Sequence, residues 1–283
     1  MNQFKTFLLL TAMTLILIYV GSLIGGKNGM FIGLGIAIVT NFISFFFSDK
    51  IVLAMYGARP VDANDNYILP IVRNLTNSAN LPMPKVYIIN EASPNAFATG
   101  RDPHHAAVAV TTGILNLLSK DELEGVIAHE LSHVKNRDIL VSSIAAVLVG
   151  TISIIARIAF FFGGGRDDEN GAGCIGNLIF IILSSIAMFL IQMWISRTRE
   201  YMADESGAKM CGKPWALASA LDRLRTGVAA RPMQDANPVT QNMFIVNPLN
   251  AESIATLMST HPPLQDRINR LNAMNMHQNS FIR

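Results

Sequence analysis

The chain has 283 residues, 51% of them hydrophobic and 15% charged, with a net charge of +2 and a mean hydropathy of +0.35. So apolar a composition excludes an ordinary soluble enzyme and points to several bilayer spans. The near-balanced charge gives no case for nucleic-acid binding, and two cysteines, Cys174 and Cys211, make neither a disulfide framework nor a zinc-knuckle spacing.

Residues 7–24 form an uninterrupted apolar run close to the length that crosses a bilayer. Lys5 ahead of it would also suit a cleaved signal peptide, but a second apolar run, 30–47, follows almost at once. The short link 25–29 predicts a tight helical hairpin, after which come Lys50 and Arg59. From about residue 61 to 138 the character becomes that of a soluble domain. In 62–80 the spacing of Ile68, Ile71, Val72 and Leu75 predicts a helix, which 81–84 breaks. VYIIN (86–90), NAFAT (95–99) and AVAVTT (107–112) predict three short strands, with a helix over 113–118 after them. NAFAT is flanked by breakers. Its Asn95, Ala96, Phe97 and Ala98 are candidates for an edge strand to which a substrate peptide adds through backbone hydrogen bonds, although an inner strand fits the pattern equally well. His104 and His105 are adjacent and so point different ways, which suits a solvated turn better than a shared metal.

Residues 119–138, SKDELEGVIAHELSHVKNRD, organise the rest. Ser119 and Glu122 predict a capping box at the start of a helix, and Leu123, Val126, Ile127, Leu131 and Val134 supply its buried stripe. Gly125, one turn before His129, is expected to keep the ligand face open. His129 and His133 lie four apart, on one helix face, where both imidazoles can reach one metal ion. Zinc suits two neutral nitrogens, and Glu130 is placed to take a proton from the water such an ion activates.

Residues 139–162 make a third apolar run and 178–195 a fourth, joined by a glycine-rich linker, 163–176. Lys5, Lys50, Arg59, Lys135, Arg137, Arg197 and Arg199 flank one side of these spans; the other side has Lys27, Arg157 and Arg166, the last offset by three acids. The positive-inside rule then places both termini and the HExxH helix in the cytoplasm, with Cys174 and Cys211 on opposite sides of the membrane. If the third and fourth spans pair antiparallel, Glu200 arrives level with His129 and His133 as the third ligand that a catalytic zinc needs. Asp204, one turn on, can then accept the second ring proton of a ligand histidine. A surface ion-pair ladder of Arg197, Glu200 and Asp204 is the alternative.

HELSHVKNRD together with RTREYMADESGA resembles the HtpX family of bacterial membrane zinc peptidases, relatives of the CAAX prenyl endopeptidases within the gluzincin group. The likeness runs through NAFATGRDP, AVAVTTG and STHPP and spans essentially the whole chain. It implies an integral membrane α+β protein: four transmembrane helices plus a cytoplasmic zincin-like domain with a small sheet. It implies one Zn2+ per chain on His129, His133 and Glu200, Glu130 as catalytic base, and quality control of misfolded or damaged membrane proteins in the bacterial inner membrane, in possible cooperation with other membrane proteases. The corresponding division is 1–48 and 139–196 as membrane hairpins, and 49–138 with 197–283 as the peptidase part.

In the tail, Trp215, Leu217, Leu221 and Leu224 are expected in the core, and 231–250 is expected to be a long loop. By resemblance, His261 and Arg267 belong to a segment packed against the active site. For His261, steadying the tetrahedral oxyanion and capping a helix are equally open. The rival activities are less well served. Charged residues around the motif are costly for an intramembrane protease, four spans offer a prenyl-protein protease little enclosure, and a non-catalytic zinc adaptor needs no Glu130.

Overall fold

The computed structural model describes residues 2–65, 67–148, 150–151, 197–230, 244–245 and 262–280. It divides into two compact units, Met1–Ser48 with Leu140–Trp194, and Asp49–Ile139 with Ile195–Arg283.

Helix α1 (Asn2–Met55) is interrupted at Gly25 and at Gly26, whose φ of +55° reverses the chain. The turn is narrower than the predicted 25–29 link, because Lys27, Asn28 and Gly29 are already helical. Thr6–Leu23 and Gly25–Met55 are each long and apolar enough to cross a membrane, and Phe7, Leu15, Phe31, Ile32 and Phe42 are exposed along them. That inverted polarity suits lipid. One polar link joins the arms: Asn41 Nδ2 donates to Thr14 Oγ1 at 2.8 Å and to the Leu10 carbonyl at 3.2 Å, the kind of interhelical hydrogen bond that polar side chains make away from water.

The second unit opens with β1 (Arg59–Pro60), a two-residue strand too short to carry a sequence pattern. Helix α2 (Ile68–Ala79) follows, buries Ile68, Ile71, Val72 and Leu75 as predicted, and ends on left-handed Asn80. Strands β2 (Lys85–Ile89), β3 (Ala96–Gly100) and β4 (Ala106–Thr111) lie within a residue of the predicted ones. The sheet order is β1-β2-β4-β3. β2 and β4 run parallel, with Val86 opposite Val108, and β3 runs antiparallel to β4, with Phe97 opposite Ala109. Among the described residues, β3 is therefore at the edge of the sheet.

Between β3 and β4, Asp102 accepts from the backbone N–H groups of His104 and His105, and both histidines are exposed. Helix α3 (Thr112–Leu117) leads into α4 (Lys120–Lys135), which carries the HExxH motif. The capping box is present, with Ser119 accepting from Glu122 N and the Glu122 side chain accepting from Ser119 N; such a cap is worth about 1 kcal/mol. Leu123, Val126, Ile127, Leu131 and Val134 are all buried, each contributing roughly 1.5–3 kcal/mol by leaving water.

The third apolar run starts as α5 (Ile139–Leu148). Residues 149 and 152–162 of that run, the glycine linker with Cys174 and the fourth run lie outside the described residues. The chain re-enters as α6 (Arg197–Cys211), α7 (Pro214–Ala230) and α8 (Leu264–Ser280). α4 sits at the centre of this unit, packed on α6, α7, α2 and β3.

Two expectations are corrected. Gly125 does not keep the ligand face open. A Cβ there would lie 2.9 Å from Leu217 N, so the glycine instead lets the backbone of α7 approach α4. Trp215 is 45% exposed, whereas Leu217, Leu221 and Leu224 are buried. Two residues along a helix is a rotation of about 200°, so Trp215 points away from the face that Leu217 buries.

Candidate metal centre

α4 presents His129 and His133 one turn apart, and α6 lies across it with Glu200 facing both. Contact between the two helices is close because Gly207 lies against the HExxH backbone: a Cβ there would be 2.8 Å from His129 N. His129 Nε2 is 3.3 Å from His133 Nε2 and 3.7 Å from Glu200 Oε2, and His133 Nε2 is 3.6 Å from Glu200 Oε1. A tetrahedral ion with bonds of about 2.0–2.2 Å holds its donors about 3.3–3.6 Å apart. Two nitrogens and a carboxylate converging at nearly that spacing fit zinc in both geometry and donor chemistry, and among the described residues this is the one such cluster.

Behind the donors, each histidine's Nδ1 faces a carboxylate. His129 Nδ1 is 3.0 Å from Asp204 Oδ1. Asp204 in turn accepts from Arg267, Nε to Oδ2 at 2.8 Å and Nη2 to Oδ1 at 2.7 Å. Arg267 is fully buried, lies 3.6 Å from Glu200 Oε2, and gives its remaining nitrogen to the Ile245 carbonyl at 3.1 Å. Burial alone would push the Asp204 carboxyl up, but the guanidinium outweighs it and holds the group below the usual range. His133 Nδ1 faces Asp138 Oδ2 at 3.5 Å. Asp138 and Arg199 were not legible as site residues from the motif; the signals that could have found them are position, five residues after His133 and one before Glu200.

Glu130 is buried, and its carboxylate accepts the Ala98 N–H of β3. Burial pushes its pKa up to about 8, with His133 opposing and Glu200 adding. Burial also lowers His129, against the pull of Asp204. For His133, burial is overcome by Asp138 and Glu200, which raise it to about 9. A cation at these donors needs both imidazoles neutral, so its binding competes with protons at the site.

On the edge strand, Ala96 and Ala98 turn their backbone outward. The Ala96 carbonyl accepts from Ile245 N at 3.2 Å, while Ala98 N serves Glu130. Asn95 faces inward, bonded to Thr111 through its N–H and its carbonyl. Phe97 is buried against Tyr56 and Phe244. His261 lies outside the described residues.

The model of peptidase family M48 matches residues 62–275. A protease HtpX homolog of Syntrophobacter fumaroxidans is 52% identical over 280 residues, covering 96% of this chain and 99% of the relative. One of Thermococcus sibiricus is 48% identical over 274 residues, covering 94% of each. Among solved structures, Ste24p of S. mikatae superposes with a TM-score of 0.54 at 17% identity, over 95% of this chain and 65% of that one, a likeness of fold. With the family matched from α2 through α8 and its relatives matched along nearly their whole length, the chain belongs to peptidase family M48, in its HtpX group, and is a metallopeptidase.

Proposed function

We propose that this chain is a zinc-dependent endopeptidase that cleaves misfolded or damaged membrane proteins at the cytoplasmic face of the inner membrane, with His129, His133 and Glu200 as ligands and Glu130 as general base. The observation that carries the reading is the convergence of three donors at tetrahedral spacing beside a buried Glu130. A structural zinc site has no use for such a base, and a buried carboxylate is costly to keep. When bound, zinc at these donors supplies Lewis acidity, polarising a carbonyl and letting water ionise near neutral pH.

The remaining chemistry belongs to the chain. Glu130, with its affinity for protons raised by burial, takes the proton that the attacking water gives up and returns it to the leaving amine. Asp204, held by Arg267, keeps the His129 ring oriented. The edge of β3 offers backbone groups to an extended peptide, which restricts cleavage to unfolded segments. The cytoplasmic side is argued from the basic residues flanking the apolar runs, and membrane substrates from the two apolar arms of α1. His261, from sequence alone, remains a candidate for steadying the oxyanion.

The test is zinc content and casein cleavage by the detergent-purified protein. Glu130→Gln is expected to keep its zinc and lose cleavage, and Glu200→Ala to lose zinc. Normal turnover by the first variant, or full zinc stoichiometry in the second, refutes the assignment. Peptides that accumulate uncut in membranes bearing Glu130→Gln identify the substrate class.

A further inference from the structure

The C-terminus of α4 closes in a Schellman arrangement. Asp138 N–H donates to the His133 carbonyl at 2.9 Å, and Arg137 N–H donates to the Val134 carbonyl at 3.1 Å. This closure needs a left-handed residue after the cap, a role that glycine fills at no steric cost. Here Arg137 fills it, at φ +57°, a conformation unfavourable to an L-residue with a long side chain.

The turn brings the chain back on itself. The residue whose amide binds the His133 carbonyl also sets its carboxylate against the ring of the same histidine, with Oδ2 at 3.5 Å from Nδ1. Asp138 is 7% exposed, so its charge is answered by protein groups. Its other oxygen lies 3.5 Å from Arg199 Nη1, and Arg199 immediately precedes Glu200 on α6. The series His133–Asp138–Arg199 thus mirrors His129–Asp204–Arg267 on the opposite flank of the cluster.

We propose that Asp138, clamped by Arg199, is the positioning residue for His133, and that the strained turn at Arg137 exists to place it. A carboxylate on Nδ1 selects the tautomer whose Nε2 carries the free lone pair, and it stops the ring rotating away from His129 and Glu200. Because Arg199 and Glu200 are neighbours on one helix, the clamp also ties the second histidine to the helix that brings the third donor. Backbone strain kept at a functional site, rather than relieved by a glycine, fits that use. The 3.5 Å contact is longer than the 3.0 Å contact behind His129, so the effect of losing Asp138 sits at the low end of the range for such partners, about tenfold in metal affinity against as much as about 100-fold.

This inference rests on the zinc reading of the site. The full chain is purified in detergent and stripped of metal. Zinc affinity is then measured by chelator competition, the ligand field by the visible spectrum of the Co2+ form, and folding by circular dichroism of the metal-free protein. Asp138→Ala is expected to bind zinc about tenfold more weakly and to shift the Co2+ bands, with the metal-free fold unchanged. Asp138→Asn, whose amide oxygen still accepts from Nδ1, should fall between it and the parent. Unchanged affinity and spectrum in Asp138→Ala overturns the proposal, as does a lower melting temperature of the metal-free variant with zinc held as tightly as by the parent. Should Asp138→Ala not fold, Arg199→Gln leaves the turn intact and decides by the same readouts: several-fold weaker zinc supports the clamp, and parental affinity refutes it. A parent that takes up no zinc would fail the broader reading instead.

Discussion

Gly207→Ala tests whether helix contact, rather than the ligands alone, sets the metal site. The added methyl would meet His129 N at 2.8 Å, His129 Cα at 2.9 Å and Ala128 C at 3.1 Å. All three are backbone atoms in the middle of α4, so no side chain can rotate aside, and α6 must retreat by roughly 0.5 Å to restore ordinary contact. Overpacking of this kind costs about 1–3 kcal/mol of stability. The retreat also carries Glu200, two turns earlier on α6, away from nitrogens it already faces at 3.6 and 3.7 Å. A metal site tolerates displacements of about 0.5 Å at most before geometry is lost, so zinc affinity should fall at least about tenfold. Gly125→Ala is the control. Its methyl would meet Leu217 N at 2.9 Å and push away α7, which carries no ligand, so stability should drop while zinc is retained. Chelator competition and thermal melting in detergent read both variants. If Gly207→Ala binds zinc as the parent does, or if both glycine variants lose it equally, the reasoning fails.

Two further outcomes follow from buried charges. Arg267→Met removes the guanidinium that holds Asp204 while leaving that carboxylate buried, and breaking such a pair costs about 3–5 kcal/mol; a melting temperature within error of the parent would count against it. For Glu122, burial favours the neutral acid, but hydrogen bonds from Ser219 and Ser119 and the charge of Arg223 outweigh it and hold the folded pKa below 4.5. Its contribution is therefore fully present above pH 4.5 and is lost as pH falls through the lower folded value. Ser219→Ala should lower stability at pH 7 and flatten the decline on acidification, as read by melting curves at several pH values; an unchanged slope refutes the linkage.

The sequence by itself determined whatever depends on backbone period and nearest neighbours. The apolar runs that form α1, the strand patterns of β2 to β4, the capping box of Ser119 and Glu122, and the four-residue spacing of His129 and His133 are local properties, and they stand where the pattern put them. Short or compensated features were harder to read. β1 is two residues long, and Trp215 has the composition of a core residue but sits on the wrong side of α7. What only the tertiary structure decided is which faces meet. Glu122 finds Ser219, Asp204 finds Arg267, and Gly125 and Gly207 become points of backbone contact with α7 and α6 rather than isolated breaks in helix propensity. Asp138 turns back on His133 only because Arg137 adopts a left-handed backbone that no residue preference announces. These pairings depend on the rotation and separation of packed helices to within a fraction of an ångström, and that information lies in the sum of many weak contacts rather than in any stretch of the chain.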